Sequence, residues 1–207
     1  MFDDKLTESR EKAKRLIMAG KVRVNDQVAR KPSDQVKPTD RIDVQEPEKY
    51  VSRGGFKLEK ALETFPIRIE DTIAVDIGAS TGGFTDCLLQ RNARRVYAVD
   101  VGHGQMDYGL RQDERVTVME KTNSRHPFEL SEQVDLIVMD VSFISISMVI
   151  PEAVKHLKSG RYVVSLVKPQ FEAKKSQVGR GGVIKDPRVH AGVLGKTVNW
   201  AVGKGLR

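Results

Sequence analysis

The sequence predicts an α/β protein: a doubly wound parallel sheet preceded by a small, basic α+β module. Three observations carry this. From Val51 onward, short apolar runs alternate with helical patterns, as in strands joined by crossover helices. Within that alternation, Val75-Asp76-Ile77-Gly78-Ala79-Ser80-Thr81-Gly82-Gly83-Phe84 passes from an apolar strand through a loop of small residues into a helix start. Ahead of it, fewer than 50 residues hold one helix and three short β segments, which can bury little apolar area alone.

The elements follow in order. Residues 7–19 predict a short amphipathic helix, capped by Thr7 or Ser9 and ended by Gly20. Ala13, Leu16 and Ile17 share one face, with Arg10, Lys12, Lys14 and Arg15 on the remaining arc. Val22-Arg23-Val24 and Gln27-Val28-Ala29 flank Asn25-Asp26 as a hairpin, and Arg41-Ile42-Asp43-Val44 is a further strand. Residues 1–45 are expected to form this first domain, 46–52 a linker and 53–207 the second domain. There, a helix is expected over 55–64, then a strand running Thr72–Val75 and ending on Asp76. A helix over Phe84–Arg91 leads to the strand Arg95–Val99, which ends on Asp100, and to the strand Arg115–Met119. Val134–Met139 is a buried strand ending on Asp140, Ile144–Leu157 a helix, and Arg161–Val167 a strand ending on Lys168. A late helix contains Trp200. Ligands of such sheets bind beyond the carboxyl ends of the strands, where these acids and this lysine collect.

Composition excludes several classes. No run of 18 apolar residues and no signal-peptide pattern is present, so a soluble, cytoplasmic protein without a membrane partner is expected. The single cysteine, Cys87, rules out an internal disulfide and a multi-cysteine zinc site, and His103, His126, His156 and His190 lack metal-ligand spacing. The formal charge of +7 is concentrated at two ends: eight Lys/Arg from Arg10 to Lys31, and nine from Lys168 to Arg207. That distribution points to a polyanionic partner, against the plainer alternative of a solubilising surface.

The glycine loop favours one cofactor. The dinucleotide fingerprint needs G-x-G-x-x-G, whereas here Gly78 is followed by Ala79-Ser80-Thr81 before Gly82-Gly83. Asp76 would repel a pyrophosphate but suits the ammonium of an amino-acid moiety. Asp100, 24 residues later at the end of the next strand, can accept both hydroxyls of an adenosine ribose. S-adenosylmethionine is therefore favoured over NAD, with a glycine turn serving only strand–helix packing as the structural alternative. Gly78, Ala79, Ser80, Thr81, Gly82, Gly83 and Phe84 are the loop candidates, and Asn123 and Asp140 join Asp76 and Asp100 in the candidate cofactor set.

Three rim residues suggest the reaction. Lys168 and Asp140 end neighbouring strands, and Lys57 lies in the helix before the first strand of the large domain. A ribose hydroxyl is too weak an acid to ionise unaided, and a lysine crowded by a second ammonium can serve as base, oriented by a carboxylate between them. Ordinary rim charges are the alternative for Asp140 and Lys57. Other acceptors fit less well: Asp140-Val141-Ser142-Phe143 lacks the prolines of amino-group methylation sites, and Cys87 lies inside a helix rather than on the rim.

The run Ser9 to Asn25 resembles an S4 RNA-binding domain. Tyr50-Val51-Ser52-Arg53-Gly54-Gly55-Phe56-Lys57-Leu58, the glycine loop, Met139 to Ser145 and Val167-Lys168-Pro169-Gln170-Phe171-Glu172 resemble the FtsJ-type methyltransferase domain of the TlyA (hemolysin A) family. The resemblance covers nearly the whole chain. It implies a Rossmann-like class I methyltransferase sheet and a 2′-O-methyltransferase acting on ribosomal RNA, with cytidine as the nucleotide. The family's Lys-Asp-Lys-Glu tetrad maps onto Lys57, Asp140 and Lys168. Its glutamate, on a late strand in the family, finds no match here, since Glu172 belongs to a different motif. The family's first S4 helix and the closing antiparallel strands also lack counterparts, so a chain shortened at both ends is expected, with an exposed sheet edge that promotes homo-oligomers. Arg10, Lys12, Lys14, Arg15 and Arg23 are the RNA-contact candidates, against a simple solvated helix face. A non-catalytic RNA-binding or ribosome-assembly factor stands as the second reading, and the family's hemolysin name adds membrane lysis as a remote third.

Overall fold

The computed structural model describes residues 6, 7, 9–45 and 48–206. The chain divides into two compact units between Lys49 and Tyr50. In the first, helix α1 (Arg10–Met18) begins where the Ser9 hydroxyl accepts the Lys12 N–H at 3.1 Å, so Ser9 rather than Thr7 is the cap. Strands β1 (Val22–Val24), β2 (Gln27–Val28) and β3 (Ile42–Val44) form an antiparallel sheet in the order β2-β1-β3. Asn25 and Asp26 make the hairpin turn with φ of 48° and 67°, the left-handed pair that matches strand twist and that these residue types tolerate. Asn25 also pins the third strand, accepting from the Arg41 N–H at 2.9 Å and donating to Asp40 at 2.8 Å. Ala13 and Val22 are the buried apolar residues that join helix to sheet. The first five residues and the linker centre, Glu46 and Pro47, lie outside the described residues.

The second unit is built on five parallel strands: β4 (Ile73–Ile77), β5 (Arg95–Val99), β6 (Val116–Met119), β7 (Val134–Met139) and β8 (Leu157–Ser165). Their spatial order is β6-β5-β4-β7-β8. The chain therefore works outward from β4 in one direction, then returns to β4 and works outward in the other. That reversal opens a crevice beyond the carboxyl ends of β4 and β7. Two apolar clusters cover the sheet: one centred on Leu58, Leu88 and Val96, the other on Ile137, Met139 and Ile150. Helices α2 (Gly54–Thr64) and α3 (Gly83–Leu89) supply much of the first cluster, and α4 (Tyr108–Arg111) lies over the same face through Leu110.

Glycine lets α2 and α3 meet closely. A Cβ on Gly55 would stand 2.2 Å from the ring of Tyr50, and one on Gly83 would stand 2.8 Å from the Gly55 nitrogen. Polar clips reinforce the contact: Arg91 donates to Tyr50 Oη at 2.8 Å and to Glu59 at 3.1 Å, and Val51 N–H donates to Asp86 at 2.8 Å. Tyr50, expected in the linker, is 1% exposed and belongs to this core, because its ring fills the space Gly55 leaves.

Four expectations need correction. Strand β4 does not end at Asp76 but continues to Ile77, because the ladders to β5 and β7 run on, pairing Asp76 with Ala98 and Val138. The helix expected over Ile144–Leu157 is three short pieces: a 3₁₀ turn at Ile146–Met148, α5 (Ile150–Ala153) and a second 3₁₀ turn at Val154–His156. Pro151 lacks an N–H and starts a new helix instead of continuing one. Strand β8 begins four residues early and stops at Ser165, so Lys168 stands in the loop beyond it, just before α6 (Pro169–Glu172). The short helix α4 has no counterpart among the expected elements, although Asp107 caps it through the Gly109 and Leu110 N–H groups. The late helix is α7 (Pro187–Gly203), with Trp200 packed against the second cluster. Among the described residues, no helix is long and apolar enough to cross a membrane.

Candidate active site

The crevice holds two adjoining hollows, of about 340 and 650 Å³, that share Gly78, Ser80, Asp140 and Ser142. Backbone bonds shape their common wall. Gly78, at φ +83°, gives its N–H to the Val99 carbonyl at 2.9 Å, and a Cβ there would press to 2.9 Å from the Asp140 carbonyl oxygen. Only glycine lets the loop pass between β4 and the chain leaving β7. Ser80 N–H donates to Asp100 Oδ2 at 2.8 Å and Gly102 N–H to Asp100 Oδ1 at 2.7 Å. Asp100 is thus fixed at the rim of the smaller hollow, each oxygen keeping acceptor capacity for a diol.

Asp76 has a different place from the one its sequence position suggests. It is 0% exposed, lines neither hollow, and its Oδ2 accepts from Thr85 N–H at 2.9 Å and Thr85 Oγ1 at 2.7 Å. It ties the start of α3 to β4 beneath the loop. Its Oδ1 has no hydrogen-bond partner. Burial pushes the carboxyl up to about 7 against the pull of the Thr85 hydrogen bonds, with Asp140 and Asp100 adding to the rise.

The larger hollow carries the rim charges. Asp140 lies between two ammonium groups: Lys57 Nζ stands 2.8 Å from Oδ2 and Lys168 Nζ stands 2.5 Å from Oδ1. Lys57 comes from α2, Asp140 from the end of β7 and Lys168 from the loop after β8, so residues up to 111 positions apart meet here. Burial works to raise the Asp140 carboxyl, but Lys168 and then Lys57 outweigh it and hold it below the usual carboxylate range. Lys168 also donates to Ser142 Oγ at 2.7 Å and approaches the Asp140 carbonyl oxygen at 3.4 Å.

The remaining candidates sort themselves. Asn123 lines the smaller hollow, its Oδ1 accepting the Arg125 N–H at 3.1 Å. Ala79, Thr81, Gly83 and Phe84 line the larger one. Gly82 lines neither: it faces Leu110, and a Cβ there would meet that side chain at 2.3 Å. In the first unit, Arg10 and Lys14 border a separate hollow with an apolar floor that includes Ala13, Ile17 and Val22. Arg15 and Arg23 are exposed, and Arg23 donates to the Asp26 carbonyl at 3.2 Å. Among the described residues no group of acidic, histidine or cysteine side chains could hold a metal ion.

Three residues of the site had no assigned part in the sequence reading. Ser142 holds Lys168. Phe143 is 92% exposed at φ +64°, on the wall of the smaller hollow with its ring 5.2 Å from that of Phe171. Glu172 accepts from Ser145 Oγ at 2.6 Å and from Ile146 N–H at 2.8 Å. Nothing in Val141-Ser142-Phe143-Ile144 marked this Phe as exposed, since single exposed apolar side chains are common.

A parallel sheet with a switch-point crevice, a bare glycine loop and a second-strand acid defines an α/β protein built for a nucleotide-type ligand. The comparisons with known proteins narrow this further. The family model for FtsJ-like methyltransferases matches residues 50–207, and that for the S4 domain matches residues 5–42. YqxC of Bacillus subtilis (strain 168), provisionally named an rRNA methyltransferase, is 48% identical over 97% of this chain and 73% of its own length. TlyA of Mycobacterium tuberculosis, a 16S/23S rRNA (cytidine-2′-O)-methyltransferase, is 47% identical over 90% of this chain and 71% of its own. The solved structure of a provisionally named hemolysin from Streptococcus thermophilus superposes with a TM-score of 0.74 at 44% identity, covering 96% of this chain and 74% of that one. The chain belongs to the TlyA (hemolysin A) family of FtsJ-like methyltransferases that carry an S4 domain.

Proposed function

We propose that this chain is a cytoplasmic S-adenosylmethionine-dependent methyltransferase that modifies the ribose 2′-oxygen of cytidine in ribosomal RNA. The observation that carries the proposal is the Lys57–Asp140–Lys168 array, which lines the larger hollow beside the glycine loop and reaches the wall shared with the smaller one through Asp140. Asp100 supplies acceptors for the cofactor's ribose, Gly78 supplies a wall without a side chain, and Asn123 borders the same hollow. These features fit an adenosyl amino acid better than a dinucleotide. Bound there, S-adenosylmethionine supplies an electrophilic methyl group for in-line displacement.

The chain's own residues then have defined tasks. Asp140, ionised and flanked by both lysines, fixes the two ammonium groups relative to one another. Lys168, once deprotonated, takes the proton of the 2′-hydroxyl at Nζ, and Lys57 stabilises the negative charge that gathers on the oxygen. Positioning supplies the rest, since the displacement needs the oxygen in line with the methyl–sulfur bond. Arg10, Lys12, Lys14, Arg15 and Arg23 hold RNA phosphates in this reading.

Transfer of labelled methyl to ribosomal RNA by the wild-type chain, lost in Asp140→Ala and lost in Lys168→Ala while the latter still binds cofactor, tests the reading. A second reading, an RNA-binding factor without turnover, is favoured by Glu172 being engaged with Ser145 and Ile146 rather than with the lysine array. Cofactor and RNA binding with no methyl transfer by the wild-type chain would decide for it.

A further inference from the structure

The loop that leaves β7 carries Asp140, Ser142 and Phe143, and its shape is not self-supporting. Phe143 sits at φ +64°, a left-handed conformation that bulky residues avoid unless their surroundings hold them. Val141 and Ile144 pack on the second apolar cluster, and two further contacts that hold this loop come from α6, directly after Lys168. Glu172 takes the Ser145 hydroxyl at 2.6 Å and the Ile146 N–H at 2.8 Å, and Phe171 packs on Phe143. Between these straps, Ser142 accepts from Lys168 at 2.7 Å.

We propose that Glu172 is a positioning residue: it latches the Asp140–Ser145 loop to the segment bearing Lys168, and so sets Ser142 and Asp140 around the Lys168 ammonium. The inference rests on the catalytic reading of the lysine array given above. Glu172 acts through hydrogen-bond geometry and not through its charge on the reacting atoms. Its two oxygens are committed to Ser145 and Ile146, away from the array's own contacts. The chemistry of a substitution separates the two roles. A glutamine keeps an oxygen for the Ile146 N–H. Its amide can donate to Ser145 Oγ, because that hydroxyl, 2.7 Å from Ser147 Oγ, is free to donate there instead. An alanine keeps neither bond.

The test uses the full chain with Glu172→Ala, Glu172→Gln, Ser142→Ala and the Glu172→Ala/Ser142→Ala double variant. Hydrogen–deuterium exchange over residues 141–148 reads the latch without reference to activity. Glu172→Ala is expected to speed exchange there, and Glu172→Gln to restore it. In methyl transfer, Glu172→Ala should lower kcat about tenfold with S-adenosylmethionine affinity within about twofold of wild type. Glu172→Gln should recover most of the rate, and the double variant should lose less than the product of the two single losses. Unchanged exchange in Glu172→Ala overturns the latch. Glutamine as damaging as alanine to kcat, with exchange restored, overturns the positioning role and makes the charge itself the working part. If the wild-type chain transfers no methyl, the catalytic reading fails on its own, and the exchange result still decides whether the latch exists.

Discussion

Replacing Asp76 by asparagine should change how stability depends on pH, in a direction fixed by the burial of that carboxyl. The carboxyl is pushed up to about 7 in the folded chain, against 3.8 for the ordinary group. Between those values the folded state holds a proton that the unfolded chain has already released. Stability therefore falls as pH rises from about 4, and the loss levels off above about 7. A separation of about three units corresponds to roughly 4 kcal/mol when fully developed, and more than half of it accrues between pH 5 and pH 8. The asparagine side chain cannot ionise, yet its oxygen can still accept from Thr85. Titrating groups remote from Asp76 are common to both proteins and cancel in the difference, while Asp100 and Asp140, coupled to it, add only to the same rise. Urea denaturation of wild type and Asp76→Asn at pH 5, 6.5 and 8, without cofactor, provides the measurement. The wild type should lose ground to the variant steadily across the series. A difference that stays flat with pH would mean that Asp76 is ionised throughout and that its Oδ1 has a donor, contrary to the buried, unpartnered oxygen described above.

Further outcomes follow from the same geometry. Asp140→Ala leaves Lys57 and Lys168 facing each other without their counter-charge, so methyl transfer should fall by at least about a hundredfold, more than for a neutral rim residue; single-turnover rates check it. Gly55→Ala must push a methyl into the buried Tyr50 ring, and thermal melting should show a cost of about 3 kcal/mol or more, relieved in part by Tyr50→Ala. Cys87 is fully buried and burial raises its thiol, so a disulfide reagent at neutral pH should label it only in denaturant. RNA affinity should fall steeply with salt, and removing Arg15 or Arg23 should each flatten the logarithmic slope by about 0.7 if they contact single-stranded phosphates; filter binding across a salt series measures it.

Much of this was legible in the residues because it depends on local chemistry. The Ser9 cap, the Asn25-Asp26 turn and the apolar strands β5 and β7 announce themselves within a few positions. The lysine–carboxylate array was also accessible, since strand ends in a parallel sheet converge on one rim, and Asp140 and Lys168 follow neighbouring apolar runs. What escaped depends on partners far along the chain. Asp76 reads as a rim acid until the ladder to β5 and β7 is seen to run one residue past it. The stretch after Ile144 has helical periodicity, but Pro151 and the hold of Glu172 on the Ile146 N–H break it into turns. Tyr50 follows a polar, proline-bearing segment and looks like linker, yet the space above Gly55 needs its ring. Glu172 could not be placed from its motif, because its two partners lie 26 and 27 residues away.

The position of the methyl group on the RNA tests the central claim most directly. A ribose 2′-O-methyl group blocks attack on the adjacent phosphodiester, so alkaline hydrolysis leaves the modified nucleotide in a resistant dinucleotide. Ribosomal RNA labelled by the wild-type chain from methyl-labelled S-adenosylmethionine should release its label as a cytidine-containing, alkali-resistant dinucleotide, and Lys168→Ala should yield none. Label recovered in ordinary mononucleotides, carried on a base, would contradict the assignment of the Lys57–Asp140–Lys168 array to a ribose oxygen.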